Sequence, residues 1–141
     1  MTGPADFDRQ VLDAVESLVP LWFSAVEDVT PRLSPRQILA LRAVRRGPEL
    51  NLTALAEQLG VGLPTASRLC DRLEAAGLLQ RCVRVDDRRE VRLVVTERGH
   101  GFLGAVTERL SARLGDALAA MPPAERARVE QVLRALGAPV R

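Results

Sequence analysis

Several kinds of residue and segment are missing or scarce in this sequence of 141 residues. Its two cysteines are too few for a disulfide framework, and its single histidine, His100, cannot complete a cluster of metal ligands. No apolar run approaches the ~20 residues that a membrane-spanning helix needs. The N-terminal MTGPADFDRQ lacks the basic and apolar regions of a secretion signal. We therefore expect a cytoplasmic protein that makes no membrane contact and needs no metal or cofactor.

The residue combinations of common catalytic sites are missing as well. The sequence shows no pair of carboxylates suited to acid–base catalysis and no set of serine, histidine and aspartate. It also has no glycine-rich loop for phosphates, because the GHG around His100 belongs to a helix start. An enzyme is therefore the least favoured of the functions considered.

Lysine is absent, so all 20 basic residues are arginine, and codon bias in a G+C-rich genome is the simplest explanation. These arginines are unevenly distributed along the chain. Residues 1–31 carry one arginine against six acidic residues, a charge of −5, whereas residues 32–98 carry thirteen against eight, a charge of +5. Residues 99–141 carry +2. The positive charge of the middle segment predicts contact with the phosphates of nucleic acid.

Two short helices joined by a tight turn are predicted in this positive segment. Asn51 is a good N-cap for the first helix, and Gly60 ends it by adopting the left-handed conformation. Gly62 and Pro64 begin the second helix, which Gly77 closes. The apolar side of the second helix consists of Leu63, Ala66, Leu69, Cys70 and Leu73. Its polar side consists of Thr65, Ser67, Arg68, Asp71 and Arg72. This is a helix-turn-helix, whose second helix has the size to enter a major groove.

An arginine-rich β-hairpin is predicted directly after these helices. Its strands are residues 78–85 and 91–96, and the turn DDRR between them contains no apolar residue. A helix-turn-helix followed by a basic hairpin is a winged helix, and duplex DNA is its natural ligand.

At these residues the sequence resembles the MarR family of bacterial regulators. That family's wing pattern is matched by Asp87, Arg89, Val95, Thr96 and Gly99, with valine in place of the usual leucine. The segments LTALAEQLGV and TASRLCDRLEAAGLL resemble the family's third and fourth helices. The resemblance implies a mainly α fold with a small β-hairpin wing, in the order α-α-α-α-β-β-α-α. It also implies dimerisation through the terminal helices.

The segments that flank the winged helix read as amphipathic helices. Residues 5–29 form the first, and Pro20 predicts a kink or a break near Val19. Ser34 and Gln37 predict a capping box for the next helix, and a short extra strand is expected near Leu50. After the wing, Thr96 caps a helix of about 24 residues, ~36 Å long at 1.5 Å per residue, and Pro122-Pro123 separates it from the last helix.

Apolar stripes on these terminal helices predict a partner, most simply a second copy of the chain. We therefore expect one MarR-like domain over residues 1–141. Its DNA-binding core is residues 34–98, and residues 5–31 and 99–137 form the dimerisation helices.

The predicted DNA contacts lie on the second helix and on the wing. On the helix, Arg68 can donate to guanine, whereas Asp71 and Glu74 could neutralise Arg72. The resemblance implies that Asp87 braces Arg89 for the minor groove. The predicted DNA-binding residues are Thr65, Ser67, Arg68, Arg72, Arg84, Asp87, Arg88 and Arg89.

The resemblance also implies control by a small aromatic ligand, bound between the dimer helices and the DNA-binding core. The residues predicted near such a crevice are Trp22, Val26, Ile38, Arg42 and Phe102, and simple core packing is the competing interpretation of each. The predicted function is a homodimeric repressor that binds an inverted-repeat operator and associates with the nucleoid. The alternative is a winged helix that binds proteins, or DNA without sequence preference, and has no ligand response.

Overall fold

The computed structural model describes residues 4–83 and 91–137. Six helices and a two-stranded antiparallel sheet follow one another in the predicted order, so the mainly helical fold with a β-hairpin is confirmed. The elements are α1 (Pro4–Val26), α2 (Pro35–Arg46), α3 (Leu52–Leu59), α4 (Leu63–Ala75), β1 (Leu79–Val83), β2 (Val91–Val95), α5 (Glu97–Ala119) and α6 (Pro123–Gly137).

The chain divides into two compact units, and α5 contributes residues to both. The central unit is residues 26–107, which include α2, α3, α4 and the hairpin. The terminal unit comprises α1 as far as Ala25 and the chain from Glu108 onward, which includes α6.

The helix starts of the central unit follow the sequence prediction. Ser34 Oγ accepts a hydrogen bond from the Gln37 amide at 3.2 Å, and Gln37 Oε1 accepts one from the Ser34 amide at 2.7 Å. Asn51 Oδ1 accepts from the Ala54 amide at 2.8 Å, as an N-cap does. Gly60 ends α3 with a φ of 65°, in the left-handed region that glycine enters without steric cost. The side chains and the glycine encoded in the sequence therefore set these boundaries.

One part of the predicted apolar side of α4 is wrong. Ala66, Cys70 and Leu73 are buried as expected, but Leu63 is 50% exposed. Periodicity assigns Leu63 to the same side as Ala66, yet Leu63 is the first residue of the helix, where no packed neighbour covers it fully. The N-cap, Gly62, has no side chain that could hydrogen bond to the helix start.

The hairpin packs into the central unit through alternate residues of its strands. Leu79 of β1 and Val95 of β2 are paired across the hairpin, and both are buried. Leu93, two residues before Val95 on β2, is buried as well. The predicted extra strand near Leu50 is wrong, because that segment makes one strand-like hydrogen bond, from the Leu93 amide to the Leu50 carbonyl at 2.9 Å. Gly47 and Pro48 leave too little extended chain before α3 for a longer ladder. The core of this unit is formed by Ile38, Leu41, Leu55, Leu73, Leu78, Leu79, Leu93, Leu103 and Val106.

The start of α5 is fixed to the hairpin and to the end of α4. Thr96 Oγ1 accepts from the Gly99 amide at 3.0 Å, as predicted for a cap, and donates to the Gly77 carbonyl at 2.6 Å. Gly99 is buried, and a Cβ atom at this position would overlap the Leu78 carbonyl oxygen and a methyl group of Val95. The first turn of α5 can therefore approach the backbone at Leu78 only because position 99 has no side chain.

In the terminal unit, α1 continues through Pro20, so the break that was one of the two outcomes expected near Val19 does not occur. Proline removes one amide donor from the helix, and because Pro20 is exposed, water can reach the carbonyl left without that donor. Within residues 4–83 and 91–137, no helix has the length and apolar content needed to span a membrane. Large apolar side chains of this unit are exposed, namely Leu12, Val15, Leu18, Val19, Phe23, Val132 and Leu136.

Candidate nucleic-acid interface

The outer side of α4 carries the four DNA-binding residues predicted for this helix. Thr65 and Ser67 are half-buried, whereas Arg68 and Arg72 are exposed. Among the residues that the structure describes, neither Arg68 nor Arg72 has a hydrogen-bond or ion-pair partner. Their guanidinium groups therefore keep all of their donors available to an anionic or guanine-bearing ligand.

The acidic residues of α4, which the sequence left open as partners of Arg72, are paired with a strand instead. Arg81 of β1 contacts Asp71 at 2.8 Å and Glu74 at 3.6 Å, both between side-chain atoms. Arg81 also donates to the Ser67 carbonyl at 3.4 Å. The hydrogen bond with Asp71 is the main reason that the pKa of Arg81 is raised above its usual value.

This role of Arg81 was not evident from the sequence. No local motif marks a pairing between residues ten positions apart, because it depends on the strand register. The consequence is electrostatic: Arg81 engages the two carboxylates of α4, Asp71 and Glu74. These carboxylates are therefore less available to neutralise Arg68 and Arg72 than the sequence alone indicates.

Arg92 of β2 is the second strand arginine. Its Nη1 lies 3.5 Å from a carboxylate oxygen of Glu49, and its Nε is buried without a hydrogen-bond partner among the described residues. Arg92 also lines a cavity of about 310 Å³ in the central unit, which contains none of the five predicted ligand-binding residues. The cavity is bounded by Val44, Arg45, Pro48, Arg92, Leu93, Val94, Val95 and His100.

The four wing residues predicted to contact DNA lie outside the described residues. The described strands end at Val83 and Val91, which are paired with each other across the hairpin. Residues 84–90 connect these two positions, so the contacts assigned to the wing stay predictions. The residues concerned are Arg84, Asp87, Arg88 and Arg89.

The predicted ligand-binding residues differ in exposure. Ile38 and Phe102 are buried in the core of the central unit, which is what the packing interpretation expects of them. Trp22 and Val26 are half-buried, and the indole Nε1 of Trp22 has no hydrogen-bond partner among the described residues.

Arg42 is the charged member of that predicted set. It is half-buried, and its one hydrogen bond in the described chain runs from Nη2 to Thr107 Oγ1 at 3.4 Å. Burial, followed by repulsion from Arg45 and Arg46, lowers the pKa of Arg42 below its usual value. No described carboxylate pairs with it, and its Nε is buried without a partner. An anion could therefore satisfy donors that the protein leaves unused.

Both cysteines are free thiols. Cys70 is fully buried, which confirms its assignment to the core side of α4, and burial raises the pKa of its thiol. No group of three or more potential metal ligands occurs within residues 4–83 and 91–137.

Comparison with known proteins found similarity to transcriptional regulators. Residues 33–91 match the model of the MarR family. Over 104 residues the chain is 28% identical to an uncharacterized HTH-type transcriptional regulator, YfiV, from Bacillus subtilis. This alignment covers 74% of the chain but spans only 65% of the length of YfiV.

Two solved structures agree over most of the chain. RV1404 from Mycobacterium tuberculosis superposes with a TM-score of 0.86 at 27% identity, covering 97% of this chain and 94% of that protein. The transcriptional repressor CouR, in a complex with a 23-mer DNA duplex, superposes with a TM-score of 0.73 at 25% identity. That match covers 92% of this chain and 90% of CouR. The fold described above is thus one that a DNA-bound repressor also adopts.

Proposed function

We propose, from the premise that this chain belongs to the MarR family of transcriptional regulators, that it is a homodimeric repressor of an inverted-repeat operator. In this proposal α4 of each copy enters a major groove, and the wing reaches the adjacent minor groove. Half-site centres then lie about one helical turn, ~10 bp, apart. Such a regulator works in the cytoplasm, on the nucleoid.

The observation that carries the proposal is a pair of arginines on the exposed side of α4 that have no partner among the described residues. Arg68 and Arg72 are one turn apart, and Arg81 occupies the neighbouring carboxylates. A guanidinium group that is exposed and unpaired can donate two hydrogen bonds to guanine O6 and N7, or neutralise a phosphate. Thr65 and Ser67 add short hydroxyl donors on the same helix.

A dimer is supported by the apolar side chains that the terminal unit leaves exposed. In α1 alone, Leu12, Val15, Leu18, Val19 and Phe23 are each at least 40% exposed. One surface helix with five such residues differs from the scattered exposed leucines of an ordinary monomer. A second copy of the same helix would cover them with matching surface.

The proposal includes two further parts that come from the family resemblance. Asp87 braces Arg89 so that its guanidinium enters a narrow, A·T-rich minor groove. A small aromatic ligand, bound near Trp22, Val26, Ile38, Arg42 and Phe102, releases the operator. The half-buried guanidinium of Arg42, which has no carboxylate partner in the described chain, suits an anionic group on such a ligand.

The proposal is tested by selecting bound sites from a random duplex library with the wild type, Arg68→Ala, Arg89→Ala and a control, Arg126→Ala. Arg126 is exposed on α6, outside the proposed interface. We expect an inverted repeat for the wild type and the control. Arg68→Ala should weaken binding by about 1–3 kcal/mol and relax the preference at one position in each half-site. Arg89→Ala should flatten the A·T preference beside the half-sites.

Recovery of no motif by the wild type would reject a sequence-specific regulator. It would favour the alternative, a winged helix that binds proteins or DNA without sequence preference. That alternative draws on the start of α4, where Gly62 gives no side-chain cap and the side chain of Leu63 has no hydrogen-bond donor.

A further inference from the structure

We propose that the first turn of α4 recognises a thymine methyl group in the major groove, through the exposed side chains of Leu63 and Pro64. This inference rests on the proposed function, since it concerns how α4 selects its DNA. It assigns a role in sequence preference to two residues that carry no hydrogen-bonding side chain.

Leu63 is exposed where the other leucines of the same helix are covered. It is 50% exposed, whereas Leu73 is fully buried and Leu69 is half-buried. Pro64, the next residue, is also exposed. A single exposed leucine is common on protein surfaces, so its exposure alone decides nothing. Its position at the beginning of the DNA-directed helix is what requires an explanation.

The beginning of α4 is entirely apolar. Its N-cap, Gly62, makes no side-chain hydrogen bond, and Leu63 and Pro64 have no polar side-chain atoms. Pro64 lacks even an amide donor, and the first polar side chain of the helix is that of Thr65. In a helix-turn-helix, the N-terminal residues of the second helix are those that contact base edges. The residues at the start of α4, which would contact the base edges, therefore have apolar side chains.

The major groove presents one apolar group with which such residues can make a favourable contact. This group is the C5 methyl of thymine, because every other group in the groove's hydrogen-bonding pattern is a donor or an acceptor. Covering the methyl group with Leu63 removes apolar surface of both molecules from water. A cytosine at the same place has only a hydrogen on C5, so this apolar contact would be lost.

The experiment replaces thymine by deoxyuridine, one position at a time, in the selected operator. Deoxyuridine removes the methyl group and keeps every hydrogen bond of the base pair. We expect one thymine in each half-site whose replacement weakens wild-type binding roughly fourfold, the equivalent of one buried methyl group. Replacing both half-sites should weaken binding roughly 15-fold.

Three variants assign the effect to its side chain. Leu63→Ala should bind the thymine operator more weakly than the wild type and lose most of the discrimination between thymine and deoxyuridine. Pro64→Ala should lose the smaller, remaining part of the discrimination between thymine and deoxyuridine. Leu39→Ala is the matched control, since Leu39 is 49% exposed on α2, and it should discriminate as the wild type does. Thermal unfolding midpoints close to that of the wild type would establish that these exposed positions leave the fold intact.

Wild-type binding that is insensitive to every deoxyuridine would overturn the inference. So would a methyl effect that persists undiminished in both Leu63→Ala and Pro64→Ala. Either result would leave the proposed repressor standing, because the operator used in the experiment would already have been recovered. Failure to select any operator would instead reject the proposed function, and this inference with it.

Discussion

The central and terminal units use the same amphipathic helical pattern but cover their apolar residues to very different degrees. In the central unit, leucines such as Leu41, Leu55 and Leu73 are completely buried. In the described part of the terminal unit, the buried apolar residues are Ala25 and Leu118, while large side chains such as Phe23 are about half exposed. The central unit is therefore stabilised by its own core, and the terminal unit has apolar surface that a single chain leaves uncovered.

The largest effect that would test this difference is expected from Phe23→Asp. Phe23 is 52% exposed in the single chain and would be covered in the proposed dimer. A carboxylate at this place would appear twice in a symmetric interface, so we expect dimerisation to weaken by about 3 kcal/mol or more, over 100-fold. Sedimentation across a range of protein concentrations measures this shift.

Val83→Asp is the control for that experiment. Val83 is 68% exposed at the end of β1, in the unit that has its own core, so the same change should leave the oligomeric state unaltered. A Phe23→Asp protein that sediments like the wild type would mean that α1 is not the dimer surface. The exposed apolar residues of the terminal unit would then need another explanation.

A second, smaller effect tests how tightly the central unit is packed. Gly99→Ala would introduce a methyl group against the Leu78 carbonyl oxygen, and backbone atoms cannot move aside as a flexible side chain can. We expect the free energy of unfolding to fall by about 3 kcal/mol, the upper end of the range for overpacking. Urea denaturation measures the change.

Gly104→Ala, five residues later in α5, supplies the matched control. A Cβ atom there would meet no other atom within 4 Å, so alanine should raise stability by about 0.5–1 kcal/mol through its higher helix propensity. Equal effects of the two substitutions would contradict the close approach of α5 to Leu78.

The smallest effect is expected from the ion pair that joins α4 to β1. Arg81→Gln should lower the free energy of unfolding by no more than about 1 kcal/mol, because Asp71 is 61% exposed and solvent screens the pair. Added salt should shrink this effect. Arg36→Gln, which changes an exposed arginine on α2, is the control and should leave stability unchanged.

A double-mutant cycle of Arg81→Gln with Asp71→Asn isolates the pair itself. We expect a coupling free energy between zero and about 1 kcal/mol, and a larger loss of operator affinity than of stability. In Arg81→Gln the affinity falls because the carboxylates of Asp71 and Glu74 lose their partner and are free to attract Arg72. Unchanged operator affinity in Arg81→Gln would show that Arg81 has no part in keeping Arg68 and Arg72 available.

The elements that could be predicted from the sequence are those determined by local chemistry. Ser34 with Gln37, Asn51, and Thr96 each form a hydrogen bond within three residues, so their spacing alone identifies the start of a helix. Gly60 marks the end of α3 for an equally local reason, its positive φ. The wing motif and the two neighbouring helical segments were sufficient to predict a resemblance to the MarR family, whose model matches residues 33–91.

The features that sequence reasoning missed depend on residues distant in the chain. Leu63 follows the helical period of the buried residues, but only the extent of packed neighbours decides that it is exposed. Arg81 is ten residues from Asp71, and the strand register brings them together. Pro20 suggested an interruption, yet its fixed φ is compatible with the helix that surrounds it.

Gly99 also changes how the family's wing signature should be understood. The signature runs from Asp87 to Gly99, but the glycine differs from the charged positions: it has no side chain, and the backbone of Leu78 leaves no room for one. A signature of this kind therefore combines positions proposed to contact DNA with a position that the packing of the protein requires. A substitution at Gly99 would disturb the fold, whereas one at Arg89 is expected to affect only the binding of DNA.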